Sequence, residues 1–157
     1  MGRKRSRGYA NVLRYFEENR VRLVVRLNNP LYDRRDFERR GIEFKDMFFE
    51  DGTNVGPLRA RSRFLPSLAL TPSLFPSDRP QPPPEMVREF LRDADRIIDD
   101  NGVIAIHCKA GLGRTGCLIA AHLVYKYGFT AGEVIGFMRI CRVRPPSYVV
   151  PFLRVIG

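Results

Sequence analysis

Cys108 and Arg114 stand six positions apart in HCKAGLGRTG, residues 107–116, directly after the apolar run GVIAI. That order of residue types permits one kind of chemistry. The apolar run reads as a buried strand and TGCLIAAHLVYKYG (115–128) as a helix. Cys108 is thus expected at the carboxyl end of a strand, where open α/β sheets bind ligands. Gly111 and Gly113 let backbone N–H groups turn inward. Such a nest at the start of a helix holds an anion. The backbone of Lys109, Ala110, Gly111, Leu112 and Gly113 would cradle a phosphate, and Arg114 would close over it with a planar fork matched to its oxygens. The same positive field favours a thiolate, drawing a cysteine pKa from roughly 8.5 toward ~3.5–7.5. A thiolate facing a bound phosphate is a nucleophile for phosphorus, and Thr115 is placed to donate a hydrogen bond to it. The alternative is a nucleotide-binding turn with a cysteine that merely packs. Nucleophile, cradle and clamp within seven residues favour catalysis.

Phosphoryl transfer also needs an acid to protonate the leaving oxygen. Asp51, in FFEDGT (48–53), is the best candidate. Asp46 and Glu50 lie nearby, and Asp78 stands further along. His107 is expected to orient the loop by hydrogen bonding. His122 reads as a core or surface histidine and Cys117 as packing, with a Cys108–Cys117 disulfide a lesser alternative.

The elements that must position these groups are legible from periodicity. YANVLRYFEEN (9–19) has apolar residues at helical spacing, and VRLVVRLN (21–28) is a strand. LYDRRDFERR (31–40) reads as a short helix closed by Gly41, and GIEFKDMFFEDG (41–52) as a strand followed by a loop. PEMVREFLRDADRIIDDNG (84–102) carries Pro84 in its first turn and one apolar stripe. TAGEVIGFMRIC (130–141) opens on a Thr130–Glu133 capping box. Strands alternating with helices predict an α/β domain with a central, mostly parallel sheet flanked by helices. Residues 1–157 read as a single domain. Residues 53–83 hold seven of the chain's twelve prolines with only one acidic residue, and read as an exposed proline-rich insertion.

Composition narrows the partners. The chain is 44% apolar with a net charge of +10, so a polyanion, an acidic membrane surface or a phosphorylated substrate would be attracted. No aromatic-interleaved basic patch suggests nucleic acid. No apolar run reaches membrane-spanning length, so stable membrane insertion is not expected. Three cysteines without CxxC spacing argue for a reducing compartment, cytoplasm or nucleus, and against a structural zinc site. Neither a metal nor a cofactor is expected, and the oligomeric state is left open.

Cys-x5-Arg is the signature of protein-tyrosine and dual-specificity phosphatases. HCKAGLGRTG in full resembles the cell-division-cycle-fourteen phosphatases. YANVLRYFEENRVRLVVRLNN, YDRRDFERRGIEFKDMFFEDGT, PEMVREFL and MRICR resemble the catalytic half of that family in the same order, from about Tyr9 to Leu153 outside the insertion. The resemblance implies the cysteine-phosphatase fold and a cysteinyl-phosphate intermediate formed without metal. By resemblance Cys108 is the nucleophile, Arg114 the clamp and Asp51 the acid, acting on phosphotyrosine and phosphoserine/threonine in proteins. The chain departs from the family in two places. About thirty residues follow Asp51-Gly52 before the next helix, and VRPPSYVVPFL (143–153) stands where the family has a run of glutamines that position the water breaking the phosphoenzyme. Two other functions remain open: phosphoinositide hydrolysis, suited to the basic charge, and a phosphoprotein-binding module with impaired turnover.

Overall fold

The computed structural model describes residues 7–50, 82–111, 113–141 and 152–153. The expected acid Asp51, its alternative Asp78, Leu112 of the cradle and nearly all of the 53–83 segment lie outside these residues.

Three parallel strands form the centre: β1 (Val21–Arg26), β2 (Glu43–Asp46) and β3 (Val103–His107). They are joined by a short antiparallel strand, β4 (Phe152–Leu153), in the order β2-β1-β3-β4. The mostly parallel sheet therefore stands as expected. β4 was not anticipated, because two residues carry no readable period. The helices are α1 (Arg7–Glu18), α2 (Arg35–Glu38), α3 (Pro84–Asp99), α4 (Gly113–Tyr127) and α5 (Ala131–Cys141).

Alternation along the strands explains why both faces are covered. Leu23, Val25, Ile104 and Ile106 pack on one face with Val87, Phe90, Leu91, Ala94 and Ile97 of α3 and with Leu118 and Ile119 of α4. Val24, Phe44, Val103 and Ala105 pack on the other with Leu13 and Phe16 of α1 and with Phe37. The outer face of α3 is tied to β2 by charge. Arg96 Nη1 and Nη2 meet the Glu43 carboxylate at 2.9 and 2.6 Å, and Lys45 Nζ meets Glu89 at 2.6 Å.

Most helix ends lie within two residues of the periodic reading, and two larger differences have a local reason. The helix expected over 31–40 shrinks to the four residues of α2. Asp33 Oδ1 accepts the Arg35 N–H at 3.0 Å, so the preceding residues form a turn rather than a helical one. Gly41 closes α2 as expected, with φ +71°. α3 stops at Asp99 instead of running to 102. Asn101 takes the left-handed conformation, φ +54°, and the Gly102 N–H returns to the Ile97 carbonyl at 2.8 Å. The expected capping box is present: Thr130 N–H donates to Glu133 Oε2 at 2.7 Å.

His122 is a core residue, fully buried in α4. Its Nε2 lies 3.6 Å from Asp95 Oδ1, and Tyr127 packs edge-on against its ring. Burial lowers its pKa, against the raising pull of Asp95 and Asp99 and with Lys126 adding to the fall. The unfolded chain therefore takes up a proton near pH 6.5 that the folded chain resists. Stability should be complete above that pH and fall as the solution is acidified through it. Thermal melts followed by circular dichroism from pH 8 to 5.5 should show this fall. His122→Gln should flatten the slope in part, because burial also lowers the His107 pKa. An unchanged slope would place the titrating proton elsewhere.

Candidate active site

The carboxyl ends of β1, β2 and β3 gather at one edge of the sheet. The ladder continues one residue past the strands: Leu27 N–H donates to the His107 carbonyl at 2.9 Å, and Met47 N–H to the Arg26 carbonyl at 2.9 Å. Cys108 follows β3 immediately, and α4 opens five residues later at Gly113. Gly111 sits at φ +68°, a conformation that a side chain would strain. That turn aims the Gly111 N–H back at the Cys108 sulfur, 3.2 Å away.

The electrostatics at the sulfur are a contest. Cys108 is only 8% exposed, and burial by itself pushes a thiol pKa up. The Thr115 hydroxyl and N–H, the Gly111 N–H and the Arg114 charge pull it down, and they win: the Cys108 pKa is lowered. Thr115 is completely buried, and its Oγ1 has no partner of ordinary hydrogen-bond geometry. The hydrogen bond to the sulfur expected from the sequence is not formed by this hydroxyl among the described residues; it acts on the sulfur as an electrostatic neighbour.

Arg114 is 4% exposed. Its Nη1 donates to the Leu27 carbonyl at 3.0 Å and to the Phe49 carbonyl at 3.1 Å. One guanidinium thus joins the first turn of α4 to the end of β1 and to the segment leading into Asp51. The residue expected from the sequence to be the clamp is thus built into the scaffold by its own backbone contacts. Lys109 and Ala110 are exposed at the mouth of the loop. All three cysteines are free thiols, with Cys108 and Cys117 buried and Cys141 exposed.

The structure removes one alternative acid. Asp46 is committed to Arg26: Nε meets Oδ1 at 2.6 Å and Nη2 meets Oδ2 at 3.0 Å. A carboxylate in a two-point pair with a buried guanidinium has both its oxygens engaged and is not placed to serve a leaving group. His107 does orient the loop: its Nδ1 lies 3.3 Å from the Cys108 carbonyl.

Sequence reasoning missed two residues behind the nucleophile. The Tyr32 hydroxyl is hydrogen-bonded to His107 Nε2. Arg26, 3% exposed, donates to the Tyr32 carbonyl at 2.8 Å and lies over the Tyr32 ring at 4.8 Å. The available signal was Arg26 itself, the second arginine of the strand VRLVVR and, unlike the exposed Arg22, a buried one, which is tolerated only with a partner.

The family model described as the catalytic domain of dual specificity phosphatases matches residues 71–155. A tyrosine-protein phosphatase CDC14 homolog of Schizosaccharomyces pombe is 48% identical over 142 residues, covering 90% of this chain and 21% of that protein. The dual specificity protein phosphatase CDC14A of Homo sapiens is 38% identical over 137 residues, covering 87% and 18%. The chain thus spans about a fifth of the length of the curated relatives it matches. The crystal structure of Tk-PTP in its active form superposes with a TM-score of 0.58 at 23% identity, over 83% of this chain and 71% of that one, a likeness of fold. The resemblance drawn from the sequence motifs and the α/β fold is borne out. A cysteine at a strand end, a glycine turn that returns an N–H to its sulfur, a buried arginine six residues on and this matched sequence have one common explanation: the chain belongs to the dual specificity phosphatase family.

Proposed function

We propose that this chain is the catalytic domain of a protein phosphatase that removes phosphate from phosphotyrosine and from phosphoserine or phosphothreonine. The observation that carries the proposal is a mostly buried thiol set between the end of β3 and the start of α4, with the Gly111 N–H 3.2 Å from its sulfur and the buried Arg114 six residues on, an arrangement that lowers its pKa. A structural cysteine buried in apolar surroundings has its pKa raised.

The chemistry runs in two steps. The Cys108 thiolate attacks phosphorus, forming an S–P bond as the bond to the leaving oxygen breaks. The leaving oxygen takes a proton from a carboxylic acid, the role proposed for Asp51 on its position three residues after Asp46-Met47-Phe48 and two after the Phe49 that Arg114 anchors. Water then attacks phosphorus, the S–P bond breaks, and the thiolate and inorganic phosphate are released. The backbone from Lys109 to Gly113 and the Arg114 fork hold the phosphoryl oxygens, whose charge spreads in the transition state. No step needs a metal or a cofactor.

Purified protein should turn over para-nitrophenyl phosphate steadily, and Cys108→Ser should reduce this to background while inorganic phosphate still binds. Normal turnover by that variant would overturn the cysteine mechanism. A single stoichiometric burst in the unaltered protein would show a trapped phosphoenzyme. Comparison of phosphopeptides with soluble phosphoinositides sets the substrate class: phosphopeptides should be the better substrates.

Arg114→Lys keeps a charge but cannot reach two carbonyls and two phosphate oxygens at once. It should lower kcat/KM by about 10²–10³-fold, the loss typical of one oxyanion-stabilising donor. It should also lower the melting temperature, because the Leu27 and Phe49 carbonyls lose their partner. A variant with full activity would mean that the fork does not touch the transferring group.

A further inference from the structure

α5, AGEVIGFMRIC, has two charged residues, Glu133 and Arg139, in eleven, yet among the described residues it buries only Val134. Met138 and, just before the helix, Phe129 pack partly on the core. Phe137 remains 44% exposed and Ile140 76%. The apolar surface continues off the helix: Phe137 meets the Phe129 ring edge-on at 6.0 Å between centroids, and Phe129 meets the half-buried Tyr127 at 6.4 Å. A contiguous apolar patch rimmed by charge marks an interaction surface.

The charges on this face identify what covers it. At about 100° of turn per residue, Gly132, Glu133, Arg139 and Ile140 all fall within about 60° of Gly136 around the helix, on the side away from Val134. All five are exposed. Their order is symmetric about Gly136: Glu133 and Arg139 stand three residues to either side of it, and Gly132 and Ile140 four. A second copy lying antiparallel, with a two-fold axis at Gly136, therefore sets each Glu133 against the Arg139 of the other copy and each Ile140 over the other's Gly132. There is room for this approach, because a Cβ added at Gly132 or Gly136 would meet nothing within 4 Å. A parallel helix would instead set Glu133 against Glu133 and Arg139 against Arg139, which repel. The cap on α5 uses Glu133 Oε2, which accepts from the Thr130 N–H and hydroxyl at 2.7 Å, and Oε1 is the atom that would meet the arginine.

We propose that α5 is the contact face of a homodimer in which two copies pack these helices antiparallel across Gly136. Burial of Ile140 and of the flanking Phe137 drives the association, and the two Glu133–Arg139 pairs fix its direction. The contact is small. The eleven residues of α5 make a helix about 16 Å long. The dimer thus belongs with transient interfaces, below about 1,200 Å², with a dissociation constant of roughly 10–100 µM. The inference is independent of the chemistry assigned to Cys108.

Sedimentation velocity of the full chain should show the mass rise from one copy toward two between about 5 and 500 µM. Ile140→Glu should weaken association at least about tenfold. Arg139→Glu should weaken it about five- to tenfold, because two like-charge contacts replace two ion pairs. Both variants should melt with the unaltered protein, since both side chains are exposed. The decisive measurement mixes Arg139→Glu with Glu133→Arg. Each alone sets like charges against each other across the axis. In an equimolar mixture every contact is again acid against base, and association should return. A chain that stays single at every concentration would leave the face to some other occupant and overturn the proposal. A dimer that Ile140→Glu leaves intact would overturn it equally, by placing the interface elsewhere, as would a mixture of folded variants that does not associate. Should Glu133→Arg unfold through loss of its cap, Ile140→Glu and Arg139→Glu, which leave the cap untouched, still decide the question.

Discussion

Favouring negative charge on the Cys108 sulfur, in a place almost closed to water, is the constraint on which this architecture turns. Burial alone would keep the thiol protonated and inert. The thiol pKa is lowered because N–H groups, a hydroxyl and a guanidinium converge on the sulfur from a single turn of chain. That convergence has a backbone cause. A parallel strand delivers the cysteine to the edge of the sheet, Gly111 reverses the chain in a left-handed conformation, and α4 follows with the Thr115 N–H directed at the sulfur. The arrangement that holds the thiolate is also the one that would hold a phosphate, so activation of the nucleophile and binding of its target share one piece of geometry.

Arg114 links this turn to the rest of the fold. A guanidinium buried in the first turn of α4 carries desolvation that only hydrogen bonds can offset. It finds them on carbonyls at the ends of two other strand segments, at Leu27 and Phe49. These carbonyls are available because the β ladder ends with the N–H groups of Leu27 and Met47. The clamp thus stands at a place the sheet leaves polar, and the segment entering Asp51 is anchored by the residue that would grip the phosphate.

Arg26 makes the corresponding link behind the nucleophile. It is a second buried guanidinium, and its pairing with Asp46 across β1 and β2 is of the two-point kind that repays desolvation best. The aromatic cluster of Tyr32, Phe37 and Phe44 packs around it. The sheet edge therefore carries two buried arginines with different tasks. Arg114 joins the start of α4 to the Leu27 and Phe49 carbonyls, and Arg26 ties β1 to β2 and to Tyr32.

Much of this was written in short-range chemistry. HCKAGLGRTG by itself pointed to a nucleophile, a cradle and a clamp, because each reading depends on residues within one turn of chain. The apolar stripe of α3 and the Thr130–Glu133 cap were equally local. The limits of that reading have the same cause. The truncation of α2 by the Asp33 side chain and the antiparallel pairing of Phe152 and Leu153 with β3 left no periodic signal. Asp46 resembled an available acid until the fold brought Arg26 against it, 20 residues away in sequence. Tyr32 stands 75 positions before His107, and only the parallel pairing of β1 with β3 brings the two rings together. The sequence alone determined which atoms could react, because reactivity follows from residue type and close spacing. Only the tertiary structure decided which side chains hold those atoms in place, because burial and distant partners determine whether a charge is free or already paired.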